Sequence, residues 1–528
     1  MKNISKKQTS KFLLPGIAIG LAFGILIFQS MSWGPWAYND SSAYVSAARN
    51  LAAGNGSVIL HSTGKIKHLT EFPPFYPFFL SIFGEQNGNY ISIIRLVNSI
   101  LFSLSIFLFY LIVHQLTKNT TVATISSLVY ASFKVIIEIY TGAMSEPLFL
   151  LLLFLAIFSF IKFLKGENPI LGFIALIFSS ALLPLTRYAG ILFIGVIWFS
   201  IIFIDQTKKR RNKLLYAISY IFISALPIFI WMLSLLSKNQ KFAGKRIQLN
   251  WSLFPTAMNS VKNIFRVLQK WIPYVSEYQD RWFASVLIFT VSLILFASIF
   301  YSAFLFFSKN QNNKRSEISI LFSINLMIFG YFAMIAFMHS TSSPPIDIID
   351  RTLLPLYPLL LISFITFISI KPCGGEKHFA LKIFLIAISI LVLRYNYLIN
   401  RPYLKTLSEK GIGFTARELQ TSGIINAIQK LDDDRIMISN LSGFVLFHTN
   451  RYPILIENFP LYSFGIGETY GEPEFRQRNG ALILMKSEFN NFYGDSADAL
   501  YKTVTGSLVT EYEDDQGIIL SFHNPTQQ

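Results

Sequence analysis

Asp40 lies directly after the first hydrophobic segment, in residues 32–90, and is the only carboxylate between that segment and Glu71. Behind it, apolar residues recur at helical spacing from Ser41 to Ala53. This pattern predicts an amphipathic helix lying on a membrane surface. An ionised carboxylate held at a helix N-terminus can accept a proton. However, Asp before an apolar-periodic run is more often a helix cap, and residue type alone favours the cap.

Other ionisable residues lie within or at the ends of hydrophobic segments, where charge is energetically costly. They gather near the predicted outer ends of different helices: Arg95, Lys134, Glu138, Glu146, Arg187 and Arg351. The inner halves of the segments carry almost nothing comparable. Long side chains near a helix end can reach the interface without any function. Such reach to the interface explains each residue taken alone. It explains less well why ionisable residues on several helices lie at the same depth.

The loop of residues 237–282 is basic, although the predicted topology puts it outside, where short basic loops are unusual. Its cations are Lys238, Lys241, Lys245, Arg246, Lys262, Arg266, Lys270 and Arg281, against Glu277 and Asp280. Gly244 precedes Lys245 and Arg246, so two cations follow a flexible backbone, which suits a phosphate. Attraction to anionic lipid head groups explains the charge equally well.

Hydrophobic blocks near the ~20 residues that cross a bilayer must position these side chains. Of the 528 residues, 52% are hydrophobic and 14% charged, so we predict a polytopic α-helical membrane protein. The net charge of +16 sits mostly in short loops, which indicates membrane topology rather than nucleic-acid binding. The eleven predicted spans are 12–31, 91–113, 120–138, 146–163, 169–186, 188–204, 214–236, 283–307, 318–338, 352–370 and 379–398.

The loop charges set the predicted orientation. The basic N-terminal tail, with Lys2, Lys6, Lys7 and Lys11, should stay in the cytoplasm. The first block, Phe12 to Met31, lacks a cleavage pattern and is interpreted as a retained signal anchor. An odd number of spans then places the C-terminus outside. The single cysteine, Cys373, excludes an intramolecular disulfide and a cysteine-rich metal site.

Residues 400–528 differ from the membrane part, residues 1–399, because apolar runs shorten and charges of both signs mix. Helix and strand patterns alternate, which predicts a small extracytoplasmic α/β domain. The predicted helices are 415–430 and 443–450, and the predicted strands are 435–439, 453–457, 481–486 and 517–522. No glycine-rich phosphate loop or metal-ligand spacing stands out, so a divalent metal is possible but not supported by a motif.

Six short blocks together resemble the bacterial C-type glycosyltransferases, which are related to the dolichyl-phosphate-mannose protein mannosyltransferases and the lipid A aminoarabinose transferase. The blocks are Asp40–Tyr44, Ala48–Ala52, Pro73–Pro77, Met144–Leu148, Leu185–Gly190 and Asp350–Pro358. Each block alone is weak, whereas their order and membrane side make the set moderately specific. The resemblance covers the whole membrane part and implies a GT-C-like fold in the cytoplasmic membrane of a bacterium.

The resemblance implies that a sugar moves from a polyprenyl-phosphate donor to a glycan, lipid or protein acceptor on the outer face, with inversion. Asp40 takes the position of the family's catalytic base, and Glu146 could be a second acidic group or a cap. Cations would stabilise the phosphate leaving group; the candidates are Lys245, Arg246, Arg187, Arg351 and Arg95. Tyr44, Tyr76 and Tyr188 are the expected pocket residues. Some relatives have two adjacent acids where this chain has Asn39 and Asp40, which argues against a metal-dependent version.

Two other classes of protein fit the hydropathy. A lipid or sugar transporter, or a flippase, would need a polar path towards the cytoplasm, often through broken helices. The sequence lacks obvious residues for one. A non-catalytic scaffold that presents the outer domain would make no demand on Asp40.

Overall fold

The structure is a computed structural model. It describes residues 6–86, 88–204, 210–237, 246–247, 253–273, 303, 315–343, 345–370, 376–455, 479–486 and 508–521. The predicted fold class, a polytopic helical protein with α/β elements near the C-terminus, is confirmed. Six of the described helices are long and apolar enough to cross a membrane. The predicted count of eleven spans stays a prediction, because the span at 283–307 lies almost wholly outside the described residues.

The N-terminal part contains one long helix and a folded segment in residues 32–90, called the first outer segment after its predicted side of the membrane. Its elements are α1 (Lys6–Ser30), α2 (Asn39–Ala52), β1 (Val58–His61), β2 (Ile66–His68) and α3 (Phe75–Ser81). Helix α2 begins two residues earlier than predicted. Every side chain from Ser41 to Ala48 is buried within the protein, so its apolar residues pack against other elements of the chain, and the expected position on a membrane surface stays a prediction. Its small serine and alanine side chains allow other elements to pack on all sides.

The central part is a run of apolar helices: α4 (Tyr90–Thr117), α5 (Thr120–Ser132), α6 (Lys134–Tyr140), α7 (Glu146–Lys165), α8 (Pro169–Thr186), α9 (Gly190–Phe199) and α10 (Arg210–Ser237). A π-helical turn at Ser200–Ile204 extends α9. Helix α1 packs against α4 through glycines. A Cβ at Gly20 would lie 2.6 Å from the Ser103 carbonyl oxygen. Small residues at such contacts let helix backbones approach closely.

The third part contains β3 (Arg246–Ile247), α11 (Leu253–Lys270), α12 (Arg315–Thr341), β4 (Ser342–Ser343), α13 (Asp350–Leu353), α14 (Leu356–Ile370) and α15 (Glu376–Lys410). Strands β3 and β4 pair antiparallel, so the basic loop is hydrogen-bonded to the segment after α12. Helix α15 runs without a break across the predicted domain boundary at residue 399.

Helices α5 and α6 meet at a 65° bend, in the manner of a broken span or a re-entrant loop. The bend frees the carbonyl of Ser132 from helical hydrogen bonding, which is costly in an apolar environment. Two amides of α15 replace the lost partner: Asn400 Nδ2 donates to the Ser132 carbonyl at 2.6 Å, and Asn396 Nδ2 donates to Ser132 Oγ at 3.0 Å. At the break itself, Phe133 stacks on Tyr357 with ring centroids 3.7 Å apart.

The C-terminal part is α/β, as predicted. Its elements are α16 (Arg417–Thr421), α17 (Ile424–Gln429), β5 (Met437–Ser439), α18 (Ser442–Thr449), β6 (Arg451–Tyr452), β7 (Ile454–Leu455), β8 (Ala481–Met485), β9 (Val509–Glu513) and β10 (Gly517–Ser521). Five strands form a mixed sheet in the order β7-β5-β8-β10-β9. The predicted helix 415–430 is two helices, and β9 was not predicted.

A second sheet joins the first outer segment to the C-terminal part. Its order is β2-β1-β6, with β1 antiparallel to β2 and parallel to β6. Helix α2 also packs on α18, where Ser42 Oγ donates to the Gly443 carbonyl at 2.7 Å and Ser46 Oγ donates to Asn450 Oδ1 at 2.7 Å. The segment that carries Asp40 is therefore held by residues about 400 positions away.

Cysteine labelling of intact cells tests the predicted membrane orientation. Asp433 has a fully exposed side chain in the C-terminal part, and Glu167 is exposed between α7 and α8. In a Cys373→Ala background, Asp433→Cys should react with an impermeant maleimide in intact cells. Glu167→Cys should react only after permeabilisation, because its loop is predicted to be cytoplasmic. Labelling of position 167 but not 433 in intact cells would reverse the orientation.

Candidate active site

The start of α2 is fixed by backbone pairing on two sides. Trp36 N donates to the Thr141 carbonyl and Ala143 N donates to the Trp36 carbonyl, both at 2.9 Å. On the other side, Phe414 N donates to the Ala37 carbonyl at 2.9 Å. A Cβ at Gly142 would lie 2.3 Å from the Trp36 ring, so this contact requires glycine. These backbone hydrogen bonds fix the positions of Trp36 and Ala37. Asp40 lies only three residues beyond Ala37, so its own position is closely constrained.

Asp40 is the second residue of α2, and Tyr38 takes the N-cap position. Its side chain is 35% exposed, and Arg351 Nη2 donates to its Oδ2 at 2.6 Å. Ser41 Oγ, not Asp40, accepts a hydrogen bond from the Tyr38 backbone N–H. The Asp40 carboxylate thus points to a cation on another element while remaining reachable from outside.

Arg351 bridges two carboxylates. It lies on α13, and its Nε donates to Glu146 Oε1 at 2.5 Å while its Nη2 binds Asp40. Burial opposes the charge of Arg351. The carboxylates of Glu146 and Asp40 outweigh burial and raise the pKa of Arg351. The guanidinium therefore stays charged. The Arg351 side chain is 25% exposed.

Glu146, the first residue of α7, is only 3% exposed. Its Oε1 accepts from Arg187 Nη1 at 2.5 Å as well as from Arg351. Arg187 follows α8, and its Nη1 also donates to Ser145 Oγ at 3.3 Å. One buried carboxylate thus holds two guanidiniums side by side. With Asp40, the four side chains sum to zero net charge, which reduces the cost of burying them.

Tyr44 completes the cluster from α2. Its hydroxyl and Ser145 Oγ are 3.1 Å apart, and its ring packs edge-on against Tyr76 at 5.1 Å. Burial, together with the charge of Glu146, raises the pKa of Tyr44, so its hydroxyl stays neutral. Tyr76 is fully buried behind Tyr44. Its hydroxyl has no hydrogen-bond partner in the part of the chain that the structure describes.

The remaining predicted site residues lie elsewhere or outside the described structure. Tyr188 is next to Arg187, and its hydroxyl donates to the Thr70 carbonyl at 3.1 Å. Arg95 contacts α1 instead of the cluster: its Nε donates to the Phe28 carbonyl at 2.9 Å, and its guanidinium lies over the Phe28 ring. Lys245 lies outside the described residues, and Arg246 is described only through its backbone in β3.

A cavity of about 410 Å³ opens beside Arg351. Aromatic and acidic side chains from distant segments line it, including Trp36, Tyr38, Glu138, Asp350 and Tyr403. Trp271 Nε1 donates to Asp350 Oδ1 at 2.6 Å and so fixes one carboxylate at the rim. Sequence reasoning missed Trp36, Trp271 and Tyr403. Only the combination of tryptophan with outer-end carboxylates could have indicated them.

In the described residues, no three His, Cys, Asp or Glu side chains lie close enough together to hold a metal ion.

Replacing Glu146 should show how much the charged cluster contributes to the free energy of unfolding. Glu146→Gln keeps the shape but leaves two partly buried guanidiniums without their shared anion. Removing one partner of a buried ion pair typically costs about 3–5 kcal/mol. Urea unfolding of the purified protein in detergent measures this loss. Glu71→Gln is the control, because its pair with Lys67 is exposed and should contribute about 0–1 kcal/mol. Equal losses of unfolding free energy in the two variants would mean that the buried ion pairs of Glu146 stabilise the fold no more than the exposed pair of Glu71 does.

Part of the chain is similar to a known family of proteins. Residues 71–231 match the sequence model of the dolichyl-phosphate-mannose-protein mannosyltransferase family. That range includes Glu146 and Arg187 but neither Asp40 nor Arg351. No curated protein sequence matches the chain.

Solved structures match over nearly the whole length. ArnT from Cupriavidus metallidurans, bound to undecaprenyl phosphate, is 12% identical with a TM-score of 0.55, covering 97% of this chain and 98% of that one. The Archaeoglobus fulgidus oligosaccharyltransferase, in complex with Zn and sulfate, is 12% identical with a TM-score of 0.53 over 96% of this chain and 72% of its own. The expected resemblance is therefore confirmed: this chain has the fold of the C-type glycosyltransferases, and its residues 71–231 match one of their families.

Proposed function

We propose that this chain is a membrane glycosyltransferase that moves a sugar from a polyprenyl-phosphate donor to an acceptor hydroxyl on the outer face, with Asp40 as the general base. The observation that carries the proposal is the position of Arg351. This guanidinium binds the accessible Asp40, and together with Arg187 it also binds the buried Glu146. The ArnT structure that shares this fold is bound to undecaprenyl phosphate, which supports a polyprenyl phosphate as the carrier.

Asp40 suits the base better than Glu146 does. A base must come within hydrogen-bond distance of the proton that it accepts. Asp40 is 35% exposed and uses Oδ2 for Arg351, so Oδ1 can face a substrate. Glu146 is buried, and both guanidiniums contact its Oε1. We assign Glu146 the task of fixing Arg187 and Arg351 in place.

Arg187 and Arg351 suit the phosphate of the donor. The side chain of Arg187 is 20% exposed and that of Arg351 is 25% exposed, and both bind the buried carboxylate of Glu146. Guanidinium groups recognise phosphate oxygens through directed hydrogen bonds. Two such groups held in place before reaction can stabilise the charge that develops on a leaving phosphate. Lys245 and Arg246 remain candidates for the same phosphate, since β3 pairs with β4 only a few residues before α13.

The reaction follows from these positions. Asp40 takes the proton of the acceptor hydroxyl while its oxygen attacks the anomeric carbon of the donor sugar. The bond between that carbon and the phosphate oxygen breaks, and the polyprenyl phosphate leaves with one more negative charge. Attack on the face opposite the leaving group inverts the anomeric carbon. The cavity beside Arg351 is large enough for a sugar. Its lining combines aromatic rings and aliphatic side chains with the carboxylates of Glu138 and Asp350, which can accept hydrogen bonds from sugar hydroxyls.

Asp40→Asn is expected to separate catalysis from binding. The amide keeps the size of the side chain but cannot accept the proton, so transfer from a polyprenyl-phosphate sugar should fall by about 10²–10⁴-fold. Binding of undecaprenyl phosphate, measured by thermophoresis on the purified protein, should stay near the parent value. Glu71→Gln, which changes an exposed carboxylate of the same loop, should leave transfer unchanged.

The same measurements address the competing functions. Near-normal transfer by Asp40→Asn together with loss of transfer in Glu71→Gln would move the base to Glu71. Transport of lipid by reconstituted protein, with no sugar transfer from any donor tested, would favour a flippase. A scaffold would show neither activity.

The basic loop gives a second expectation. Changing Lys245 and Arg246 together to Ala should weaken use of the donor and make the remaining activity less sensitive to salt, because two cations that attract the phosphate are lost. Changing Lys262 and Arg266 together to Ala is the matched control; both lie on α11, and both are exposed. Steady-state kinetics at two salt concentrations measures the effect. Equal effects in both double variants would favour general attraction to lipid head groups.

A further inference from the structure

A second polar cavity lies between the first outer segment and the C-terminal part. Its volume is about 460 Å³, within the range of small-molecule sites. The lining includes Arg49, Tyr90, Gln429, His448, Asn450 and Arg451. The cluster around Asp40, Glu146, Arg187 and Arg351 contributes none of these residues. The cavity is thus separate from the site proposed for sugar transfer.

Arg49 enters this cavity from α2 with an incompletely satisfied guanidinium. Its Nη1 donates to the Phe447 carbonyl at 2.7 Å, and its guanidinium lies 5.5 Å from the centre of the Tyr90 ring. Its Nε is buried, with no hydrogen-bond partner among the described residues. Burial lowers the pKa of Arg49 to about 10. Within the described structure no carboxylate forms a salt bridge with it, so the positive charge is uncompensated.

Tyr90 adds a second unused donor. It is the first residue of α4 and only 1% exposed. Its hydroxyl has no hydrogen-bond partner in the described part of the chain. Buried polar groups are nearly always hydrogen-bonded, and exceptions often indicate an absent water, ion or ligand. Arg49 and Tyr90, on different helices, both line this cavity, and each has a donor without a partner among the described residues.

The other polar groups of the lining keep the cavity positive. Arg451 donates through Nη1 to the carbonyls of Leu431 and Asp432, and its Nε also lacks a partner among the described residues. Asp433 is the acidic neighbour, but its side chain is fully exposed and pairs with Arg451 outside. Burial lowers the pKa of His448 to about 4, so this imidazole is neutral at pH 7 and adds no charge.

We propose that this cavity binds an oxyanion, a phosphate or carboxylate group carried by a ligand on the outer face. Arg49 supplies the charge and one N–H, Tyr90 supplies an O–H, and Arg451, which pairs with Asp433, is a second arginine of the lining. The occupant would also link α2, α4 and α18, because these helices contribute the donors and the lining. Asp40 lies on the same helix as Arg49, so the ligand would brace the helix that carries the proposed base.

Phosphate and acetate titrations of the purified full-length protein test the proposal. Each anion, added at ionic strength matched with chloride, should raise the melting temperature of the parent in a saturable way if it binds the folded state. The anion with the lower half-saturating concentration identifies the class of ligand. Any binding at Arg187 and Arg351 is common to parent and variants, so only the change between them reports on this cavity.

Tyr90→Phe is the decisive variant, because it removes a hydroxyl that forms no hydrogen bond in the described part of the chain. It should fold as well as the parent and bind the preferred anion about 2–10-fold more weakly, the equivalent of one lost hydrogen bond. Arg49→Gln should weaken binding by about 10–100-fold, since a charged donor is lost. Arg417→Gln, an exposed arginine on α16, should change nothing.

Some results would overturn the proposal. If neither anion gives a saturable shift, the cavity does not bind oxyanions. If Tyr90→Phe and Arg49→Gln both bind the anion as the parent does while remaining folded, the anion occupies another place. Loss of folding in Arg49→Gln alone would leave Tyr90→Phe to decide.

Discussion

The carboxylate of Glu146 is the group on which the arrangement of the charged cluster depends. It is nearly inaccessible, yet it is charged and shared by two guanidiniums. A buried charge is tolerated only when its partners are close and well oriented. Those partners come from the end of α8 and from α13, while Glu146 opens α7. Three separate segments must therefore converge before any of the charges is stable, and Arg351 then extends the network to Asp40 on a fourth.

Helix α2 shows how such a network is kept rigid. It carries Asp40 near its start and Arg49 near its end, and it lies between the membrane helices and α18. Serine hydroxyls contact the C-terminal part on one side, while Tyr44 contacts Ser145 on the other. The parallel pairing of β1 with β6 fixes the segment that follows. The outer loop and the C-terminal part consequently form one folded body, so the position of Asp40 depends on both.

The sequence predicted the parts of this arrangement that follow from local physics. Helix limits followed from hydrophobic length, and the outer-end charges, among them Glu146, Arg187 and Arg351, were singled out because ionised groups are costly in a membrane. Their partners could not be assigned, because Arg187 is 41 residues from Glu146, and Arg351 is 205 residues from Glu146 and 311 from Asp40. Arg95 was grouped with them at the same depth but turns towards α1. Strands of two residues, such as β6, carry too little periodicity to be recognised, and their pairing depends on tertiary contacts.

The bend between α5 and α6 has a consequence for how the chain is made. The Ser132 carbonyl at the bend accepts a hydrogen bond from Asn400, and the Ser132 hydroxyl accepts one from Asn396; both amides are synthesised more than 260 residues later. Until α15 has entered the membrane, that carbonyl must rely on water or lipid head groups. Helix α6, whose Glu138 carbonyl binds Trp36 Nε1, can therefore reach its final place only late in biogenesis. The pocket beside Arg351, whose lining includes Trp36 and Glu138, is therefore completed only after the C-terminal half of α15 has been synthesised.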